Sequence, residues 1–327
     1  MGRTEVTETR DLPGRSHPVQ VLAAIAFWGG ASLLAVRFGA VSGADWEMVA
    51  QLRLPRVILA TAIGAGLSVA GATLQALFAN PLCEPYTLGI SSGAALGAAL
   101  GTTLGIGAGF AGLAIPAFAG GLFFALILYG ISLRSGTNNL TLLLAGVMLQ
   151  FLGSSLVALW MALADAAGVQ SATFWLLGDL SRARLSGGLF SVGVMTFLIG
   201  MIWLRARDMD AMMMGEDIAR SLGVPVGKTR RSLLLASALL VGLCVSGSGM
   251  IGFVGLVIPH FVRRVAGSLH RRLLPLCAIW GAGVLVAADL VSRVLISPLE
   301  VPVGVVTALA GAPLFLWIML KGRGATA

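Results

Sequence analysis

Apolar residues run in stretches of about 18 or more along most of this chain, with polar residues between the stretches rather than along one side of each. A hydrocarbon layer about 30 Å thick needs roughly 20 helical residues to cross it. The pattern therefore predicts an all-α, polytopic membrane protein. Spans are expected near residues 19–41, 55–78, 89–107, 115–134, 140–164, 187–204, 232–247, 250–263, 275–296 and 303–320. The stretch at 250–263 is short, which makes 232–263 the least determined part. Pro55, Pro116, Pro275 and Pro302 fall at or near expected span starts, where a missing N–H does least harm. Small-residue runs such as GAGLSVAG and GAALGAALG suit close helix contact in lipid.

One stretch breaks the pattern. MMMGEDIARSLGVPVGKTRR, residues 212–231, is dense in charge, although only 11% of the 327 residues are charged. It reads as a short amphipathic helix over 214–223. Glu216 and Asp217 sit near its start, where carboxylates meet the positive end of the helix dipole. Gly223 is a C′ stop, with Pro225 just beyond. Met214, Ile218 and Leu222 recur every four residues as one apolar stripe, and Glu216 can pair with Arg220 at i,i+4 on another face. GVPVGKT is not a phosphate loop. Only three residues separate Gly223 from Gly227-Lys228-Thr229, no buried strand precedes it, and Pro225 removes a donor N–H. Two readings of the helix stand open: it lies on the membrane surface, or it docks into a cytoplasmic partner.

Charge adds orientation. With ten spans and a cytoplasmic N-terminus, the inner side holds Arg3, Arg10, Arg15, Arg134, six basic residues in 205–231, four in 263–272, Lys321 and Arg323. The outer side holds Arg37, Arg53, Arg56, Arg182, Arg184 and Arg293. The positive-inside rule supports this placement, so the net charge of +8 reflects topology and anionic lipid rather than nucleic acid. Residues 1–18 and 322–327 become short cytoplasmic tails around a single membrane domain, 19–321. The first apolar stretch is too long for a usual signal peptide, and the cleavage-like SGA at 42–44 falls late. Cys83, Cys244 and Cys277 read as packing residues. His260 stands without the neighbours a metal site needs. No nucleophile, base and orienter arrangement is legible, which points away from an enzyme.

LATAIGAGLSVAG at 59–71 matches LASALLVGLCVSG at 235–247 in seven of thirteen positions. These segments belong to the second and seventh spans, which cross in opposite senses. The pattern is that of an inverted repeat of two five-helix halves, about 19–204 and 232–320, joined by a loop at 205–231.

LRLPR (52–56), LQALFANPLCEPYTLGISSGAALG (74–97), WLLGDLS (175–181), IGFVGLVIPHFVRRVAG (251–267) and EVPVGVVTALAGAPLFLWIMLK (300–321) occur in this order. Together they resemble the membrane subunit of type II ABC importers, the permease family for iron–siderophore chelates, haem and cobalamin. The resemblance covers about residues 20–321. It implies a bacterial inner-membrane permease working as a homodimer, with two cytoplasmic ATPases below and a periplasmic binding protein above. ATP and Mg would be used by the ATPase, and this chain would bind no cofactor.

The resemblance also implies roles for residues. Met214, Gly215, Glu216, Asp217, Ile218, Ala219, Arg220, Leu222 and Gly223 would form the coupling helix seated on the ATPase. Arg53, Arg56 and Arg293 would meet carboxylates of the binding protein. Asp289, four residues before Arg293, offers it a competing i,i+4 partner, which favours Arg53 and Arg56 for docking. The fifth and tenth spans would line the channel. Asn80, Pro81 and Leu82, with Asn138, Asn139, Leu140 and Thr141, would close it on the cytoplasmic side. For Asn80–Leu82 a plain helix end with a turn is the competing reading.

An ion-coupled secondary transporter is the alternative, since it also uses inverted repeats but needs intramembrane carboxylates. Asp289 is the deep candidate, and Glu84 is expected near the cytoplasmic edge. Among cargoes, siderophore chelates rank ahead of haem and cobalamin.

Overall fold

The computed structural model describes residues 17–39, 46–104, 110–134, 138–181, 183 and 185–323. Residues 1–16, the SGA site, Arg182, Arg184 and residues 324–327 lie outside the described residues. Each of the ten expected spans meets a helix: α1 (His17–Arg37), α3 (Leu54–Leu77), α4 (Ile90–Thr103), α5 (Phe110–Ser132), α6 (Asn139–Leu163), α8 (Leu185–Leu204), α11 (Val226–Ser248), α12 (Val254–Ala266), α13 (His270–Val294) and α14 (Val303–Arg323). Shorter pieces lie between them: α2 (Trp46–Met48) with a π-helical turn Val49–Arg53, α7 (Ala166–Leu176), α9 (Ala206–Met213) and α10 (Glu216–Ser221). Among the described residues, β pairing is confined to one isolated bridge, Ile296 to Leu299.

Side-chain contacts show which way several of these helices run. Gln20 at the start of α1 donates to the Val265 carbonyl at the end of α12, and Arg264 reaches the Ile318 carbonyl near the end of α14. Arg263 bonds Gln75, so α3 also ends there. His270, which opens α13, meets Asp210 of α9. One face therefore gathers the start of α1, the ends of α3, α12 and α14, and the polar island. Trp160 near the end of α6 donates to Thr103 at the end of α4, on the opposite face.

Two helices fall short of a crossing. At 1.5 Å per residue, α4 (14 residues) and α12 (13 residues) each reach only about 20 Å. Each follows a long helix through a loop: α3, loop 78–89, α4, and then α11, loop 249–253, α12. These are the segments the internal repeat marks. α3 and α11 run antiparallel, with Cys244 Sγ against the Ile63 carbonyl and Leu59 close to Gly247. Contact is close because side chains are absent where it matters. A Cβ on Gly71 would lie 1.9 Å from the Gly255 carbonyl oxygen, and one on Gly281 would lie 2.4 Å from that of Gly64.

α7 has no counterpart among the expected spans, because its 11 residues are too few to cross and carry no charge to mark it as amphipathic. α11 begins at Val226, six residues before the expected 232, so Gly227–Arg231 is helix rather than loop. Its first two turns stand clear of the apolar layer, where hydropathy does not register them.

Candidate coupling and docking sites

After α8 the chain bends by 49° into α9. Gly215, at φ +117, and Gly223, at φ +81, then bracket α10, both in conformations that exclude most side chains. The helical segment is thus two short helices, and Met214 and Gly215 lie outside α10. The expected stop at Gly223 is where the chain leaves the helix. Ala219 is fully buried and packs in a small core with Ala211 and Val226. Arg220 pairs with Glu216 at 2.9 Å and with Asp217 at 2.8 Å. Glu216 also pairs with Arg230 of α11, which fastens α10 to the next span. The apolar stripe points away from all this: Met214, Ile218 and Leu222 are 64%, 46% and 63% exposed.

On the opposite face three arginines converge near the end of α1. Arg53 donates to the Val36 and Arg37 carbonyls at 3.2 and 2.8 Å. Arg293 donates to those of Ala35 and Phe38 at 3.1 and 3.4 Å. Both satisfy carbonyls that the last turn of a helix leaves open. Asp289, fully buried, lies 2.7 Å from Arg56 Nε through Oδ1 and 3.1 Å from Arg293 Nε through Oδ2. Arg56 Nη1 reaches Glu300 at 2.8 Å. The expected Asp289–Arg293 pair is present, and Asp289 also holds Arg56, which hydropathy and local spacing could not reveal across 233 positions. All three arginines are buried, at 8% exposure or less, and Asp289 holds Arg56 as well as Arg293. Above them a cleft of about 510 Å³ is lined by Arg56, Glu300, Asp179, Gln170 and Ser181 among others.

Between these faces the two broken loops meet. The Asn80 carboxamide accepts from Leu82 N at 3.0 Å, closing the Asn-Pro turn, and Leu82 is half exposed. The Glu84 carboxylate accepts from Phe253 N at 2.7 Å, at the N-terminus of α12, and Tyr86 Oη donates to the Ile251 carbonyl at 2.7 Å. Phe253 adjoins Gly255, which packs on Gly71, about 9 Å before the end of α3. Glu84 therefore lies within the helical layer and not at its edge, a correction that follows from loop 78–89 turning inward. α6 starts with an Asn138 cap, whose side chain accepts from Thr141 N at 2.8 Å and Thr141 Oγ1 at 2.9 Å. Asn139 is the first residue of α6, and further along it Gly146 packs on Leu88.

The FecCD transport family matches residues 19–321. This chain belongs to that family. The uncharacterized ABC transporter permease protein YvrB of Bacillus subtilis is 42% identical over 302 residues, covering 87% of this chain and 83% of YvrB. The FecCD chain is also similar to the vitamin B12 import permease BtuC of Vibrio cholerae, at 38% over 288 residues (88% and 86% covered). The hemin transport permease HmuU of Yersinia pestis is 38% identical over 287 residues (86% and 85%). Among solved structures, one described as an inward-facing metal-chelate-type ABC transporter superposes with a TM-score of 0.86 at 30% identity, covering 93% of this chain and 99% of its own. A TM-score of 0.54 at 23% identity to PsaBC of Streptococcus pneumoniae (79% and 88% covered) indicates shared fold alone.

Proposed function

We propose that this FecCD chain is the permease of an ABC importer for a bulky metal chelate (siderophore, haem or cobalamin), driven through α10 by a separate ATPase. The face bearing the polar island is then cytoplasmic, with both termini, and the Arg56 face is outer. The single observation that carries the coupling role is the exposure of Ile218 on α10 and of Met214 and Leu222 at its two ends, beside a helix whose other side is fastened by Ala219 and by Glu216 to Arg230. A helix merely lying on lipid needs no such rigid mount. A helix that transmits displacement does.

α6 and α14 carry the exposed apolar side chains Leu144, Met148, Leu152, Leu309, Leu316 and Leu320. A second copy of the chain covers them in this reading and encloses the pathway. Asn80–Leu82 and Asn138–Thr141 close its inner end. The outer cleft receives the binding protein. Arg53, Arg56 and Arg293 shape that platform, with Arg56 and its partner Glu300 lining the cleft.

The test is Leu222→Asp in proteoliposomes holding permease, ATPase and cargo-loaded binding protein. Uptake is expected to fall about tenfold or more, since a carboxylate in an apolar contact costs more than the 1.4 kcal/mol that a factor of ten represents. Expression and dimer yield stay normal. Unchanged uptake would reject the coupling role. The absorption spectrum of the cargo on the cognate binding protein separates haem, cobalamin and siderophore.

A further inference from the structure

We propose that α13 is the mechanical link between the coupling segment and the outer arginine cluster, with Asp210 and Trp203 as the positioning residues that fasten its inner end. The inference rests on the importer reading and deepens it.

At the inner end, the Asp210 carboxylate of α9 caps α13. It accepts from the His270 backbone N–H at 3.0 Å and lies 2.6 Å from His270 Nδ1. Pro275 sits inside α13 and has no N–H, so the carbonyl four residues earlier loses its helical donor. That carbonyl belongs to Arg271, and Trp203 Nε1 at the end of α8 donates to it at 3.1 Å. The Arg271 guanidinium stands 5.6 Å from the Trp203 ring. The weak point of α13 is thus closed by the residues that lead into the coupling segment.

At the outer end Asp289 of the same helix holds Arg56 of α3, and its Arg293 donates to the Ala35 and Phe38 carbonyls at the end of α1. His270 and Asp289 are about 28 Å apart along the axis. Between them α13 lies tightly on α3: Ser68 Oγ donates to the Cys277 carbonyl at 2.8 Å, and Gly281 meets Gly64 backbone to backbone. A helix clamped at both ends and packed this closely moves as a unit. Displacement of α9–α10 therefore reaches the docking platform, and docking reaches the ATPase, because coupling free energy is reciprocal.

The experiment uses the assembled importer in proteoliposomes and reads ATPase rate with and without cargo-loaded binding protein. The variants are Trp203→Phe, which keeps the ring and loses the N–H, and Asp210→Ala, with Asp210→Glu as the conservative rescue. The ratio of stimulated to basal rate is expected to fall about fivefold or more. Basal rate and the amount of ATPase retained stay at wild-type levels, and Asp210→Glu recovers part of the ratio. An unchanged ratio in both Trp203→Phe and Asp210→Ala overturns the link. So does a ratio that falls only because ATPase is lost from the complex, which would make these residues part of the ATPase seat. Failure of the importer reading itself looks different: the wild-type protein then retains no ATPase and shows no stimulation.

Discussion

Replacing Asp289 by asparagine keeps the shape of the side chain and removes its charge. Asp289 is fully buried, and the side chains of its partners Arg56 and Arg293 are 10% and 3% exposed. Breaking a buried ion pair by neutralising one partner costs about 3–5 kcal/mol, because the remaining charge stays desolvated. Two arginines lose their counter-ion here, but the losses differ. Arg56 keeps Glu300 at 2.8 Å. Among the described residues, Arg293 keeps carbonyl acceptors, those of Ala35, Phe38 and Asp289 itself. The penalty is therefore that of one stranded cation, about 3 kcal/mol, and not twice that. Unfolding of the purified protein by sodium dodecyl sulfate in mixed micelles reads it. Adding Arg293→Met removes the stranded charge and should restore at least half of the loss, as a coupled pair requires. A single variant within about 0.5 kcal/mol of wild type, or a double variant as unstable as the sum of its parts, would refute the reasoning.

Two further substitutions test the packing and the loops. Gly71→Ala drives a methyl into the Gly255 carbonyl and should cost about 1–3 kcal/mol or more, seen as lost folded yield; Gly130→Ala, with nothing within 4 Å, should be neutral or stabilising. Glu84→Ala leaves Phe253 N–H without its acceptor and should cost about 1–3 kcal/mol in the same unfolding assay, with Glu84→Gln recovering most of it by keeping an acceptor.

Hydropathy placed an expected span on each of ten helices among the described residues because each is an apolar run, although six of them, or seven with the bent α8–α9 pair, are long and apolar enough to cross a membrane. Periodicity also found α10, where Glu216, Ile218 and Gly223 obey local rules for helix starts, stripes and stops. The shortfall of α4 and α12 was less visible. The expected span 250–263 took in the apolar loop Ile251–Phe253, which only its contacts with Tyr86 and Glu84 mark as a break, whereas residues 79–88 already read as a connection between two spans. The burial of Arg53 and Arg56 was hidden for a related reason. Arg53 answers carbonyls at the end of α1, and Arg56 answers Asp289 from a distant helix. A single chain read linearly shows an arginine beside a span and cannot show which acceptor turns it inward. The internal repeat carried more than its seven matches suggest, since it singled out the two helices that precede the two breaks.

The same geometry weighs on the choice between ATP-driven and ion-coupled transport. A secondary transporter needs a carboxylate inside the membrane that can exchange an ion or a proton during each cycle. Asp289 is deep enough, but one of its oxygens faces Arg56 and the other Arg293. Binding a cation there would first require breaking a buried ion pair, at a cost of about 3–5 kcal/mol. Glu84 is the other candidate, and its carboxylate caps the α12 N-terminus through Phe253 N. Neutralising it would weaken the contact that holds the two broken loops together. Both carboxylates are thus committed to holding the scaffold, whereas Met214, Ile218 and Leu222, in and beside α10, stay exposed. In the importer reading the energy for transport arrives instead from a separate ATPase. Accumulation of cargo by the purified chain alone, in proteoliposomes under a proton or sodium gradient, would instead make this protein a secondary transporter.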